Sequence, residues 1–380
     1  MTYHIAVLDT TLRDGEQAPG IAFTAAEKVA IARVLADMHT DIIEAGFAAS
    51  SPEEFEAVNQ VAATVAAHES DSAVTSLSRC TVGDIETTAT ALAPATRARL
   101  HLVLSTSELH RGIMHAGLSD RDLLDLAGRS VEHARTLIAE VQFSAQDASR
   151  SDPDFLVRMA AAVRDAGATV FNVCDTVGYA NPAEFGALLA RLVAEVPELV
   201  YSVHCHNDLG MAVANSMAGL AAGARQVEVA VNGIGERAGN SAHEEVVMLL
   251  RTRGAALGLH TSSRPVHLAT LSALVEQATG YPVPPNKAVV GANAFRHESG
   301  MHQHGVMANR TAYEVMSAED VGQIGGQIVL GKHSGRRALR AALRSLDLEV
   351  DDATLAELMR QIKAHPELAT DLPQLVAATS

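Results

Sequence analysis

Two histidines alternate with a cysteine in residues 201–210, Y-S-V-H-C-H-N-D-L-G. On a strand, residues i and i+2 point to the same side, so His204 and His206 share a face there. Asn207, Asp208 and Gly210 break the strand pattern at once and set the pair at a strand end. Two imidazoles on one face are half of a divalent-metal site. H-x-H alone is a weak signal, because rim histidines bonded to water have the same spacing. Its weight depends on what other elements bring beside it.

Those elements alternate regularly. Strands are expected over 5–8, 41–45, 73–77, 100–105, 140–144, 169–173, 200–204 and 226–231. Helices are expected over 25–38, 52–67, 82–92, 120–139, 153–166, 182–195, 212–222 and 242–253. Thr24, Ser50-Ser51, Ser151-Asp152, Asn181 and Ser241 supply N-cap chemistry. Eight β-then-α units in about 250 residues predict an α/β fold, a (β/α)8 TIM barrel. A doubly wound open sheet is the alternative, but T-L-R-D-G-E-Q follows the first strand where a dinucleotide fingerprint would stand. The expected plan is a barrel over 1–255, a linker and helix over 256–290, and a small, mainly helical region over 291–380. The stretch 291–318 in that last region is rich in Gly, His and Asn without clear periodicity, which suits an active-site lid.

Functional side chains of such barrels gather where strands end. The strand ends carry Arg13-Asp14, Glu44, Arg79, His101, Ser144 with Gln146, Asp175-Thr176, His204 with His206, and residues 232–240. Closure makes the first strand a neighbour of the eighth. Asp14, His204, His206 and Asn240 then meet across the sequence. One carboxylate, two imidazoles and an amide oxygen suit a six-coordinate divalent ion with positions open for a bidentate oxygen ligand. The plainer alternative makes Asp14 a helix N-cap. Arg13 would stabilise an alkoxide forming beside the metal, or pair with Glu44 inside the barrel. The segment N-G-I-G-E-R-A-G-N offers Asn232, Gly233, Gly235, Arg237 and Gly239 to an anion such as a phosphate. A tight βα turn would account for the same glycines.

Composition narrows the classes. The 380 residues carry a formal net charge of −16 and no Lys/Arg cluster, which argues against nucleic acid. Tryptophan is absent and aromatic residues make up 3%, which removes stacking platforms. Cys80, Cys174 and Cys205 lie in or beside apolar segments without a disulfide spacing, as in a reducing cytosol. No secretory leader and no membrane span are expected, so a cytoplasmic location is.

Several segments together are recognisable: L-D-T-T-L-R-D-G-E-Q, C-D-T-V-G-Y, V-H-C-H-N-D-L-G-M-A-V-A-N-S, N-G-I-G-E-R-A-G-N, G-A-N-A-F-R-H-E-S-G-M-H-Q-H-G and V-L-G-K-H-S-G-R. From residue 8 to about 336 the chain resembles the acyl-CoA:2-oxo acid Claisen condensing enzymes, the family of 2-isopropylmalate and homocitrate synthases. The resemblance implies a divalent metal (Mg, Mn or Zn) on Asp14, His204, His206 and Asn240, with acetyl-CoA as co-substrate. It implies Arg13 as the electrophilic cation, Thr176 as a carboxylate ligand, and Glu44, His101 and Ser144 as pocket residues. It also implies that His302, with Tyr313 near it, reaches the active site of the partner in a homodimer.

Three departures stand out. Gln146 occupies the place of the family's usual Glu in F-S-x-E-D, keeping a hydrogen bond but not a charge. Gln142 stands where lysine-pathway homocitrate synthases hold an Arg for a second carboxylate. The chain also ends at Ser380, which leads to no expectation of a leucine-sensing domain. The expected activity is condensation of acetyl-CoA with an apolar 2-oxo acid such as 2-oxoisovalerate. Homocitrate synthesis and a specialised 2-substituted malate synthase with an arylalkyl or phosphonate-bearing substrate are the alternatives. A lyase running the reverse cleavage is disfavoured by the H-Q-H-G segment.

Overall fold

The eight strands pair in chain order, all parallel, and close into a barrel: β1 (Ala6–Asp9), β2 (Ile42–Glu44), β3 (Ala73–Arg79), β4 (Ala98–Ser105), β5 (Glu140–Gln146), β6 (Val170–Asp175), β7 (Val200–Cys205) and β8 (Gln226–Val229). Closure runs from Ala6 beside Gln226 to Asp9 beside Val229. The computed structural model describes residues 2–325 and 327–379. It divides into two units, Met1–Pro282 and Val283–Ser380.

Strand alternation separates two environments. Leu100, Leu102, Val141, Phe143, Phe171, Val203 and Val227 join the apolar layer between strands and helices. The residues that alternate with them are polar and buried: Glu44, Arg99, His101, Gln142, Ser144, Asn172, Ser202, His204, Gln226 and Glu228. The barrel interior is therefore a hydrogen-bonded polar column, closed near β1–β3 by a small cluster of Leu8, Ile42 and Ala73.

The helices wrapping the barrel are α1 (Ala25–Asp37), α2 (Pro52–Ala66), α3 (Val82–Ala91), α4 (Asp120–Leu137), α5 (Pro153–Asp165), α6 (Pro182–Glu195), α7 (Ala212–Ala221) and α8 (His243–Leu257). Thr24, Ser51, Asp152 and Asn181 cap the helices expected of them. Ser241 does not. Its hydroxyl lies 2.7 Å from Ser216 Oγ, and α8 begins at His243 behind Ala242 without a side-chain cap.

The expected linker is shorter than its composition suggests. Helix α8 runs on to Leu257, where Gly258 ends it in the left-handed conformation. Leu259 and His260 then pair beside Tyr3 and His4. Helix α9 (Leu268–Thr279) belongs to the barrel unit, and Asn232 binds the Ser272 carbonyl at 3.1 Å. The first unit thus extends past 255, to Pro282.

The second unit holds α10 (Gly300–Ala308), α11 (Arg336–Ser345), α12 (Asp352–Ala364) and α13 (Leu372–Thr379). Leu339, Leu343, Leu355, Leu358, Ile362 and Leu372 form its core. Helix α10 lies in the stretch expected to be irregular. It buries only Gln303 and Val306, too thin a stripe to register as periodicity. Among the described residues no helix is long and apolar enough to cross a membrane.

Candidate active site

The βα loops at the C-terminal ends of the strands surround a cavity of about 450 Å³. Its lining includes Arg13, Asp14, Leu77, His101, Val103, His110, Ser144, Gln146, Thr176, His204, His206 and Arg237. Barrel closure sets Asp14, after β1, near His204 of β7 and His206 just past its end. His206 forms an isolated bridge with Asn240.

Three donor atoms converge there. His204 Nε2 and His206 Nε2 are 3.0 Å apart, and Asp14 Oδ2 lies 3.7 Å from the first and 3.9 Å from the second. A triangle of that size has its centre about 2.1 Å from each corner, the length of a metal–imidazole bond. Two ring nitrogens facing at this distance repel unless a cation or a proton stands between them. Asn240 donates its amide to Asp14 Oδ1 at 2.9 Å, while its buried Oδ1 has no hydrogen-bond partner. These donors fit a divalent ion with mixed nitrogen and oxygen ligands. Asp14 makes no side-chain cap, so the plainer reading of that residue does not hold.

Charge prepares the same residues. Burial alone would neutralise Asp14, but Arg13 and then the two histidines outweigh it and hold the carboxyl well below its ordinary range. Arg13 Nη1 donates to Asp14 Oδ2 at 2.6 Å, and its Nε donates to Glu44 Oε2 at 2.8 Å. Burial and then His204 push His206 down to about 4. Burial works against a charge on His204 as well, but Glu228 overcomes it and the pKa rises.

The other expected residues separate into groups. His101 lies between Glu44 Oε1 at 2.5 Å and Ser144 Oγ at 2.6 Å. Glu44 is fully buried beneath the cavity and does not line it. It holds Arg13 and His101. Thr176 Oγ1 accepts from the Asp147 N–H at 2.8 Å, so its own proton is free to donate into the cavity. Gln146 Oε1 accepts from Ser105 Oγ at 2.6 Å.

In the glycine segment only Arg237 of the five expected anion ligands lines the cavity, and it is held by Asp208 at 2.8 Å. Asn232 N–H is taken by Glu244 at 3.0 Å. A Cβ on Gly235 would lie 2.2 Å from Asn240 Nδ2, and one on Gly239 would lie 1.8 Å from the Gly233 carbonyl. These glycines admit the protein's own atoms, as the turn reading requires. His302 and Tyr313 are in the second unit, stacked at 4.1 Å between ring centres and both exposed.

Glu228 and His110 were not anticipated. Glu228 is a carboxylate inside an apolar-looking strand, and only the period-two alternation of β8 could have shown that it faces inward. His110 sits on a short helix, Glu108–Met114, that buries no residue and so left no apolar stripe to read.

Parallel strands that end in a carboxylate and two converging imidazoles define a class, the metal-dependent (β/α)8 enzymes. The HMGL-like family model matches residues 4–275, and the homocitrate synthase post-HMGL domain-like model matches 289–369. The chain belongs to the HMGL-like family. The 2-isopropylmalate synthase of Methylococcus capsulatus is 50% identical over 349 residues, 91% of this chain and 67% of that protein. The 2-isopropylmalate synthase of Dechloromonas aromatica is 46% identical over 386 residues, 99% of this chain and 74% of that one. A hydroxymethylglutaryl-CoA lyase from Pseudomonas aeruginosa shares the fold at a TM-score of 0.61, with 22% identity over 74% of this chain and 94% of that one.

Proposed function

We propose that this chain condenses acetyl-CoA with an apolar 2-oxo acid, giving a 2-alkylmalate and CoA. The observation that carries this reading is the Asp14–His204–His206 triangle with Arg13 on the same carboxylate, in a chain about half identical to 2-isopropylmalate synthases.

In the reaction, a base takes a proton from the acetyl methyl group. The electron pair left behind forms a bond to the keto carbon, and the keto oxygen becomes a hydroxyl. Water then cleaves the thioester and CoA leaves as the thiol. A divalent ion on Asp14, His204, His206 and Asn240 would supply Lewis-acid polarisation of the keto acid. Arg13, fixed by two carboxylates, offers a cation to the growing negative charge on the keto oxygen. The Thr176 hydroxyl donates to the substrate carboxylate. His101 and Ser144 wall the cavity beside them, and Arg237 is the cation facing it from the glycine segment, suited to the anionic co-substrate. The base is His302, with Tyr313 packed on it, supplied by the partner in a cytoplasmic homodimer. What supports this last step is the resemblance of G-M-H-Q-H-G and the exposed, stacked pair.

Leu77, Val103 and Val177 are apolar residues of the cavity lining, and among the described residues that lining holds no Lys or Arg besides Arg13 and Arg237. Gln142 is fully buried and does not line it. That favours an apolar tail over the second carboxylate of 2-oxoglutarate. Release of free thiol from acetyl-CoA across a panel of 2-oxo acids tests the reading. 2-Oxoisovalerate or a larger apolar acid should give the highest kcat/KM, and a preference for 2-oxoglutarate would overturn the assignment.

A further inference from the structure

Barrels of this kind normally pack their interior with branched apolar side chains. Beneath this site the interior instead holds Arg99, Gln226, Gln142 and Glu228, all buried and in contact. Arginine can only donate hydrogen bonds, which gives the group a direction. Arg99 is anchored on Glu140 Oε2 at 3.0 Å, and its Nη1 donates to Gln226 Oε1 at 2.7 Å. The same nitrogen lies 3.4 Å from Gln142 Oε1. Both amide oxygens are thus turned toward Arg99. Gln226 Nε2 donates to Gln142 Oε1 at 2.8 Å and to Ser202 Oγ at 3.0 Å. Gln142 Nε2 has two protons left, one for Glu228 Oε1 at 2.6 Å and one for His101 Nε2 at 3.2 Å. Glu228 Oε2 stands 2.9 Å from His204 Nδ1, off the line of a full hydrogen bond.

We propose that Arg99, Gln226 and Gln142 are positioning residues, a one-way chain of donors that holds Glu228 against His204 Nδ1 and so presents His204 Nε2 to the metal. An imidazole whose Nδ1 proton faces a carboxylate has its Nε2 lone pair free for a ligand bond. The second proton of Gln142 extends the chain to the substrate side. His101 leads to Glu44, Glu44 to Arg13, and Arg13 to Asp14, so the network returns to the metal ligands. One amide therefore sets the relation between the metal ligands and the His101 wall of the cavity. Gln142 spends its hydrogen-bonding capacity on this network, which is why it does not face the substrate.

The inference rests on the metal site proposed above, and calorimetric titration of Mn²⁺ into metal-free protein tests the two separately. Absence of uptake by the wild type would overturn the metal assignment and this inference with it. Given uptake, Gln142→Met, which keeps the length and removes the amide, should weaken binding about tenfold to a hundredfold. Nitrogen NMR of the metal-free protein, at a pH where His204 is neutral, should show it protonated at Nδ1 in the wild type and as a mixture of tautomers in the variant. Unchanged affinity and an unchanged tautomer would overturn the proposal. A second pair covers failure of that variant to fold. Arg99→Lys keeps a donor-only cation and should bind Mn²⁺ like the wild type, whereas Arg99→Gln can turn the amides round and should lose about tenfold. Equal affinities in these two variants would also overturn it.

Discussion

A proton and a metal compete for His206, and its surroundings disfavour the proton. Burial and the adjacent His204 set its pKa at about 4, against about 6.5 for an unfolded histidine. A histidine depressed in the folded state is destabilising once it must be charged. Its stability contribution is complete above about pH 6.5 and is lost as pH falls toward 4. A shift of this size corresponds to about 3 kcal/mol. His204 runs the other way, since Glu228 favours its charged form, and its contribution fades as pH rises through its raised pKa. The melting temperature of metal-free protein should therefore drop between pH 6.5 and 4.5, and His206→Asn should flatten that drop. Parallel curves for the two proteins would refute the assignment. At this scale the ligands themselves were legible, because H-x-H at a strand end and Asp14 after the first strand are visible without coordinates. Glu44 pairs with Arg13 as its place at a strand end allowed, but proximity in a barrel does not tell which carboxylate faces the cavity and which supports it from below.

Between strand and helix, the loop from Asn232 to Asn240 decides where Asn240, the proposed amide ligand, stands. Gly235 adopts φ +143° and Gly239 φ +84°, and neither has room for a side chain. A methyl group at residue 235 would lie 2.2 Å from Asn240 Nδ2 and 3.0 Å from Asp14 Oδ1. Gly235→Ala should therefore move Asn240 off Asp14 and weaken metal binding more than it lowers the melting temperature. Loss of stability at unchanged metal affinity would show that the loop does not position the site. The glycines were visible in the sequence, but their purpose was not. A phosphate cradle and a turn folded against its own neighbours need the same residue type. The strands were easier to read, because each is short, alternates apolar residues with others and is bounded by turn residues. Lys28 shows the opposite limit. As the fourth residue of α1 it reads as a solvated residue, yet it is fully buried between Glu16 at 2.7 Å and Glu54 at 2.5 Å.

The barrel unit presents a metal site, and each histidine that lines its cavity already has a partner. His101 is held at both nitrogens, His204 and His206 face the metal position, and His110 accepts from Arg150 at 3.3 Å. Gln146 cannot take a proton at neutral pH. Enolisation of a thioester needs a base, and the one proposed above is His302 of the second unit. If it acts in a two-fold dimer on the partner's barrel, two dead variants carry complementary halves of a site. His302→Ala keeps Asp14, and Asp14→Ala keeps His302. In a mixed dimer one site regains both residues and the other lacks both. Random reassembly of equal amounts places half the dimers in the mixed form, so about a quarter of wild-type activity should return. Action within one chain would return none, because no chain in the mixture carries both residues. Thiol release by subunits mixed under dissociating conditions and then reassembled, with mixed dimers verified by distinct tags, separates the two arrangements.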